Sequence, residues 1–353
     1  MNMKTLADGL GRWARPLVLV ASLASMGSAA LAGPTFSKLV VFGDSLSDTG
    51  NTRASIAGGN LPIVAIPAGY GANGRFSNGP VWHETLTQAL GLPLATNSRT
   101  GGNSGANNYN YAYGGARVDS ATGASAGLLT QYNDYRIRVS GNSDPNALFA
   151  VWAGGNDMRD LVSSSNALPG ITSRLSSLEG LLTNLVTSGA NSFLIPNLPD
   201  LGKIPENRGT AREANATAVS VAWNSALYNM VLGLSDVADF YFLDVFTEFN
   251  NILANPAASG FVNTTGQCRS TGGTILFPTE ISCANADTWV FWDNIHPTRA
   301  AHAVLGRAAA DVIRNGSPLR ELSAPATLAL SLTAIGLMAT LRRRREPVAC
   351  AAA

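Results

Sequence analysis

Four short, nearly unbroken apolar runs punctuate the chain: Leu39 to Phe42, Leu148 to Trp152, Ser192 to Ile195, and Phe240 to Leu243. Runs of this length without polar alternation mark strands buried on both faces, as in a parallel sheet. Longer segments lie among them, with apolar residues recurring every three to four positions: Val81 to Leu90, Ile171 to Thr187, Ala211 to Leu234, and Arg299 to Arg314. That period predicts helices with one buried face. Strand and helix alternate, so the pattern predicts an α/β fold, a doubly wound, mainly parallel sheet with helices on both faces. Ligands of such folds bind outside the carboxyl ends of the strands. Two stretches break the pattern, Thr52 to Gly79 and Thr96 to Asn110. Dense in Gly, Asn and Pro, they read equally as walls of a substrate cleft or as surface loops.

The two ends follow other rules. Lys4, Arg12 and Arg15 precede an uncharged stretch from Pro16 to Ala32 that finishes in small residues. Ala30 and Ala32 fit an A-x-A cleavage site, so residues 1–32 read as an export signal with Gly33 as the first mature residue. Leu322 to Leu341 carries no charge and is followed by Arg342 to Arg345. Twenty residues span roughly 30 Å as a helix, the thickness of the hydrocarbon core, and the arginines would stay on the cytoplasmic side. Between the ends lies one domain, about residues 33–317, with 318–353 as an appended tail.

Composition narrows the function. The chain of 353 residues is 46% apolar, only 13% charged, and carries a formal net charge of +1. Nothing in that balance points to nucleic acid. Of three cysteines, Cys268 and Cys283 lie fifteen apart in a Gly/Thr-rich stretch and can close a loop by a disulfide worth roughly 3 kcal/mol. With no C-x-x-C or H-x-x-x-H spacing, a zinc site is not expected, and no cofactor is called for.

The chemistry concentrates in four short segments. GDSLSDTGN, Gly43 to Asn51, follows the first apolar run directly and sets Ser45 where its hydroxyl meets the open end of the sheet. Hydrolysis through a serine needs a base, a group to orient the base, and donors for the oxyanion. The chain has three histidines, and only His296 has a carboxylate one turn upstream, Asp293 in DNIHP. Asp293 can fix one ring N–H and leave the other nitrogen to take the Ser45 proton. For the oxyanion, NYAYGGA (110–116) offers glycine N–H groups, GGND (154–157) the Asn156 amide, and Ser45 its own N–H. Asp44, Asp48 and Asp157 read as turn and helix caps. His83 reads as a surface or supporting residue on an amphipathic helix and His302 as structural. Tyr109, Tyr111 and Tyr113 alternate with period two, which suits a pocket wall and an ordinary strand alike.

GDSLSDTGN, NYAYGGA, GGND and DNIHP together resemble, in order, the four blocks of the SGNH, or GDSL, esterase/lipase family, over about Lys38 to Asn315. GRFSNGPVW (74–82) resembles a segment of the family's lipase-like branch. The resemblance implies a flavodoxin-like α/β/α sandwich and a carboxylester hydrolase working through an acyl-enzyme. It makes Ser45 the nucleophile, Asp293 and His296 its partners, and Gly115 with Asn156 and Ser45 the oxyanion hole. The expected partner is an ester substrate: an acyl ester, a lipid or an acetylated glycan. A polysaccharide O-acetylesterase and a non-catalytic surface or matrix module are the alternatives. Separately, Ser323 to Leu328, the apolar span and the arginine block resemble the PEP-CTERM sorting signal of Gram-negative bacteria, with Ser-Ala-Pro where that family has Pro-Glu-Pro. That resemblance implies a secreted or cell-surface protein whose temporary anchor a sorting transpeptidase removes; without it, the span would be a permanent membrane anchor.

Overall fold

The computed structural model describes residues 33–57, 74–99, 109–119, 126–273 and 278–320. Four strands, β1 (Leu39–Gly43), β2 (Leu148–Trp152), β3 (Ser192–Pro196) and β4 (Asp239–Leu243), lie parallel in that order. Each agrees with its apolar run to within one residue. Residues 109–113 extend the sheet on the far side of β1: Val41 N–H donates to Tyr109 O (2.9 Å), Tyr111 N–H to Val41 O (2.8 Å) and Tyr113 N–H to Gly43 O (3.2 Å). The chain thus leaves β1 for a neighbour on one side and later returns for β2 on the other. The carboxyl end of β1 is therefore a topological switch point, the place where doubly wound sheets hold ligands.

Alternate strand residues feed two separate cores. Val40, Phe42, Phe149, Val151, Phe193 and Phe240 face one side. There they meet α3 (Leu128–Arg138), α4 (Gly155–Leu161), α5 (Leu168–Thr187) and α6 (Glu213–Gly233) through residues such as Tyr135, Met158, Leu182 and Trp223. Leu39, Val41, Leu148, Ala150 and Leu194 face the other side, against Trp82 and Leu86 of α2 (Trp82–Leu90) and Leu305, Ala309 and Ile313 of α8 (Arg299–Asn315). Each fully buried Leu, Ile or Phe contributes about 1.5–3 kcal/mol relative to exposure. Both faces are covered, giving the three-layer sandwich. Gly306 lets α8 approach α2 closely, because a Cβ there would stand 2.4 Å from Trp82 O.

The remaining elements are α1 (Asn51–Ala57), α7 (Val245–Ala254), β5 (Asn263–Gln267), β6 (Arg269–Gly273), β7 (Pro278–Ser282) and β8 (Trp289–Phe291). Strands β5 and β8 pair in parallel and β6 pairs with β7 antiparallel. Cys268 and Cys283 are joined by a disulfide with 5.0 Å between their Cα atoms. The stretch expected to be a loop from Thr52 instead opens with α1, whose N-terminal N–H groups the Asp48 carboxylate accepts. The Thr96 to Asn110 loop ends as the strand-like edge beside β1. Past Ser317 the chain stays attached to β4, Leu319 N–H donating to Phe240 O at 2.7 Å. The expected export signal (1–32), the apolar span and arginine block (322–345), and parts of both loops (58–73, 100–108) lie outside the described residues. Among the described residues no helix is long and apolar enough to cross a membrane.

Candidate active site

Strand β1 ends at Gly43, clamped on both polar groups by one buried side chain: Gln131 Oε1 accepts its N–H (3.0 Å) and Gln131 Nε2 donates to its carbonyl (2.8 Å). A tight turn follows. The Asp44 carbonyl accepts the N–H groups of Ser47 and Asp48, both at 3.0 Å, and Asp44 Oδ1 accepts Leu46 N–H at 3.0 Å. Ser45 occupies the turn, nearly buried, with Oγ 2.8 Å from His296 Nε2. The chain separation is 251 residues. His296 sits in the turn between β8 and α8. Asp293 Oδ1 accepts the N–H groups of Ile295 (2.8 Å) and His296 (2.7 Å), and Oδ2 lies 2.8 Å from His296 Nδ1. A carboxylate only accepts, so Nδ1 carries the proton and Nε2 is left as acceptor for the serine hydroxyl. That is the tautomer a general base requires.

Burial opposes charge on Asp293, but His296 and the backbone N–H groups of Ile295 and His296 outweigh it and hold the carboxyl well below the usual carboxylate range. Asp44 differs: burial pushes it up to about 6, against the Leu46 N–H and the charges of His296 and Arg159. Asp157 is likewise pushed up to about 6 by burial; it accepts Val118 N–H at 3.2 Å and Arg174 Nε at 3.0 Å. It braces the loop behind Asn156 and takes no position near the serine's hydrogen-bond partners.

The oxyanion candidates divide by who uses their N–H groups. Gly114 N–H donates to Asp48 Oδ2 (3.0 Å) and Thr52 Oγ1 (2.8 Å), so it is consumed by the scaffold. Gly115, in the left-handed region at φ +76°, has no such partner among the described residues. Asn156 Nδ2 donates one hydrogen to Ala116 O at 3.0 Å, which orients the amide and leaves its second N–H unused. Ser45, Asn156 and His296 line a single cleft. Asp293 stands behind His296, and Gly115 precedes the Ala116 carbonyl that holds Asn156. Beyond the serine the cleft is walled by Leu201, Ile204, Val245, Phe249, Ile252 and Val290. Arg159, paired to Glu206 at 2.6 and 2.8 Å, and Asp44 are its ionisable groups besides His296.

The other histidines do not reach the serine. His83, expected as a surface or supporting residue, takes the supporting place: it is fully buried, with Nε2 donating to Ser47 O at 3.0 Å beneath the nucleophile turn. His302 Nδ1 accepts Trp82 N–H at 3.3 Å, and burial pushes its pKa down to about 3, so it is neutral. Tyr111 and Tyr113 are buried in the core and Tyr111 stacks on Phe42, so the tyrosine alternation belongs to the strand-like edge beside β1. Among the described residues no cluster of three His, Cys, Asp or Glu could hold a metal ion. Gln131 and Arg159 carry no local sequence signal that would have placed them here; Phe76, whose ring lies 5.3 Å from that of His296, belongs to the GRFSNGPVW segment, which marks it without giving its place.

Comparison with known proteins identifies the family. The model of the family described as GDSL-like Lipase/Acylhydrolase matches residues 39–309, more than half of the chain. A GDSL esterase/lipase of Arabidopsis thaliana is 28% identical over 310 residues, covering 77% of this chain and 87% of its own. The phosphatidylcholine-sterol acyltransferase of Aeromonas hydrophila is 28% identical over 329 residues, covering 80% and 91%. A crystal structure from the lipolytic G-D-S-L family of Veillonella parvula covers 78% of this chain and 97% of its own at 14% identity, with a TM-score of 0.43.

Proposed function

Because the chain belongs to the GDSL-like lipase/acylhydrolase family and is a carboxylic ester hydrolase, we propose that Ser45, His296 and Asp293 form its catalytic triad and that it cleaves esters of apolar acyl chains. The 2.8 Å contact between Ser45 Oγ and His296 Nε2 carries this reading. Ser45 Oγ attacks the ester carbonyl while His296 Nε2 takes its proton. Asp293 stabilises the resulting imidazolium. The oxyanion is held by the N–H groups of Ser45 and Gly115 and the free N–H of Asn156. His296 returns the proton to the departing alcohol, and the same nitrogen then activates a water that frees the acid from the acyl-enzyme. Asn156→Ala is expected to lower kcat by about 10² to 10³ with little change in KM; steady-state kinetics giving less than a threefold loss would remove Asn156 from the oxyanion hole.

The apolar walls of the cleft favour an acyl chain over an acetyl group on a glycan, the alternative the fold also admits. Each buried methylene is worth about 0.8 kcal/mol, roughly fourfold in kcat/KM. Across p-nitrophenyl esters from acetate to dodecanoate, kcat/KM should climb with chain length until the cleft is full. Ile252→Phe should move the optimum to shorter chains. A series in which acetate is fastest, unchanged by Ile252→Phe, would instead favour the deacetylase. Export of the enzyme is part of the proposal: the Cys268–Cys283 disulfide suits an oxidising compartment, as the leader-like residues 1–32 do.

A further inference from the structure

The segment GRFSNGP, Gly74 to Pro80, has no part in the triad or the oxyanion hole, yet it is fastened to both halves of the site. On the serine side, Arg75 pairs in a bridge with Thr49, and its guanidinium grips Glu84 of α2 at 2.6 and 2.7 Å. Gly74, at φ +72°, packs so near Gly50 that a Cβ would stand 2.8 Å from its Cα. On the histidine side, Ser77 Oγ donates to Pro297 O at 2.8 Å and Asn78 Oδ1 accepts Arg299 N–H at 2.7 Å. Between these anchors the Phe76 ring lies 5.3 Å from the His296 ring, inclined at 37°. It is also seated over Gly114, where a Cβ would come within 2.2 Å of Cζ. Glycine at 114 is what leaves room for the aromatic ring.

We propose that Phe76 is a positioning residue for the esterase reaction, its ring held against that of His296 so that its π system stabilises the imidazolium formed on proton transfer. The inference rests on His296 being the base. When Nε2 takes the Ser45 proton, the ring, itself almost wholly buried, becomes a cation. Asp293 meets that charge along one edge, through Nδ1. An aromatic face within about 6 Å of a cation adds an attraction of quadrupole origin, strongest where water is excluded. Because the segment is tied on both sides, the ring is already in place when the charge appears. The benefit falls on the charged intermediate and not on bound substrate, so it belongs in kcat.

The test replaces Phe76 in the full chain with 4-fluoro-, 3,5-difluoro- and 3,4,5-trifluorophenylalanine, which drains the π face while nearly keeping ring size. Expected is a stepwise fall in kcat reaching about 3- to 10-fold, with KM within twofold. Phe76→Tyr, which keeps the π face, should hold kcat near wild type, and Phe76→Leu should fall at least as far as the trifluoro variant. A kcat that stays flat across the fluorinated series, or a loss that appears only in KM, overturns the inference. Ser45→Ala measured alongside separates the two levels. A flat series in an enzyme that this substitution silences sinks the role of Phe76 alone, whereas turnover that survives Ser45→Ala sinks the triad beneath it.

Discussion

Ser45→Ala is expected to lower kcat for ester hydrolysis by about 10⁶, the size of effect seen when a serine nucleophile is removed. The reason is local. Oγ is the one atom placed 2.8 Å from a histidine nitrogen whose partner nitrogen is already committed to a carboxylate. The substitution removes that atom and nothing the turn depends on, because the turn is held by the Asp44 carbonyl and carboxylate and by the Asp48 carboxylate. Thermal stability should therefore stay close to wild type, which separates a chemical loss from unfolding. A fluorophosphonate probe should label the wild-type protein at Ser45, located by peptide mass spectrometry, and leave the variant unlabelled. Residual turnover within 10²-fold of wild type, or labelling at another serine, would rule out Ser45 as the nucleophile.

The parts of this enzyme that the sequence makes legible are those governed by short-range pattern. The strands of the parallel sheet are buried on both faces, so Leu39–Gly43 and Leu148–Trp152 stand out as uninterrupted apolar runs. Asp293 and His296 are three residues apart, so their pairing needs only one turn. Helices α3 and α4 were not legible for opposite reasons. Helix α3 has polar residues throughout, and its buried Gln131 serves the end of β1 from 88 positions away. Helix α4 begins within GGND, where residues chosen for chemistry replace those that would announce a helix. His83 left a surface and a supporting place equally open, because a buried imidazole satisfied by a distant carbonyl, Ser47 O, looks like any polar residue on an amphipathic helix. Phe76 and His296 meet only through the fold. Their contact joins residues 220 positions apart, and no periodicity in the chain encodes it. Local rules thus point to the groups proposed to react, while the residues that hold them in register come from long-range packing.

The same division explains why Asp293→Asn should be the most informative variant after the nucleophile. The amide is nearly isosteric, and its oxygen can still accept the Ile295 and His296 backbone N–H groups, so the turn survives. What changes is the atom facing His296 Nδ1. An amide NH₂ there donates, which forces Nδ1 to accept and moves the ring proton to Nε2. Nε2 then donates to Ser45 Oγ where it should accept, and the base is lost although every heavy atom stays in place. The expected result is a fall of about 10⁴ in kcat with KM little affected. Stability responds separately. A carboxyl held below its unfolded value contributes stability that is present above the ordinary carboxylate range and lost as pH falls through it. The variant should accordingly melt below wild type at pH 7, and the gap should narrow as pH drops below about 4. Turnover within tenfold of wild type, or a melting gap that widens on acidification, would show that Asp293 does not set the tautomer of His296.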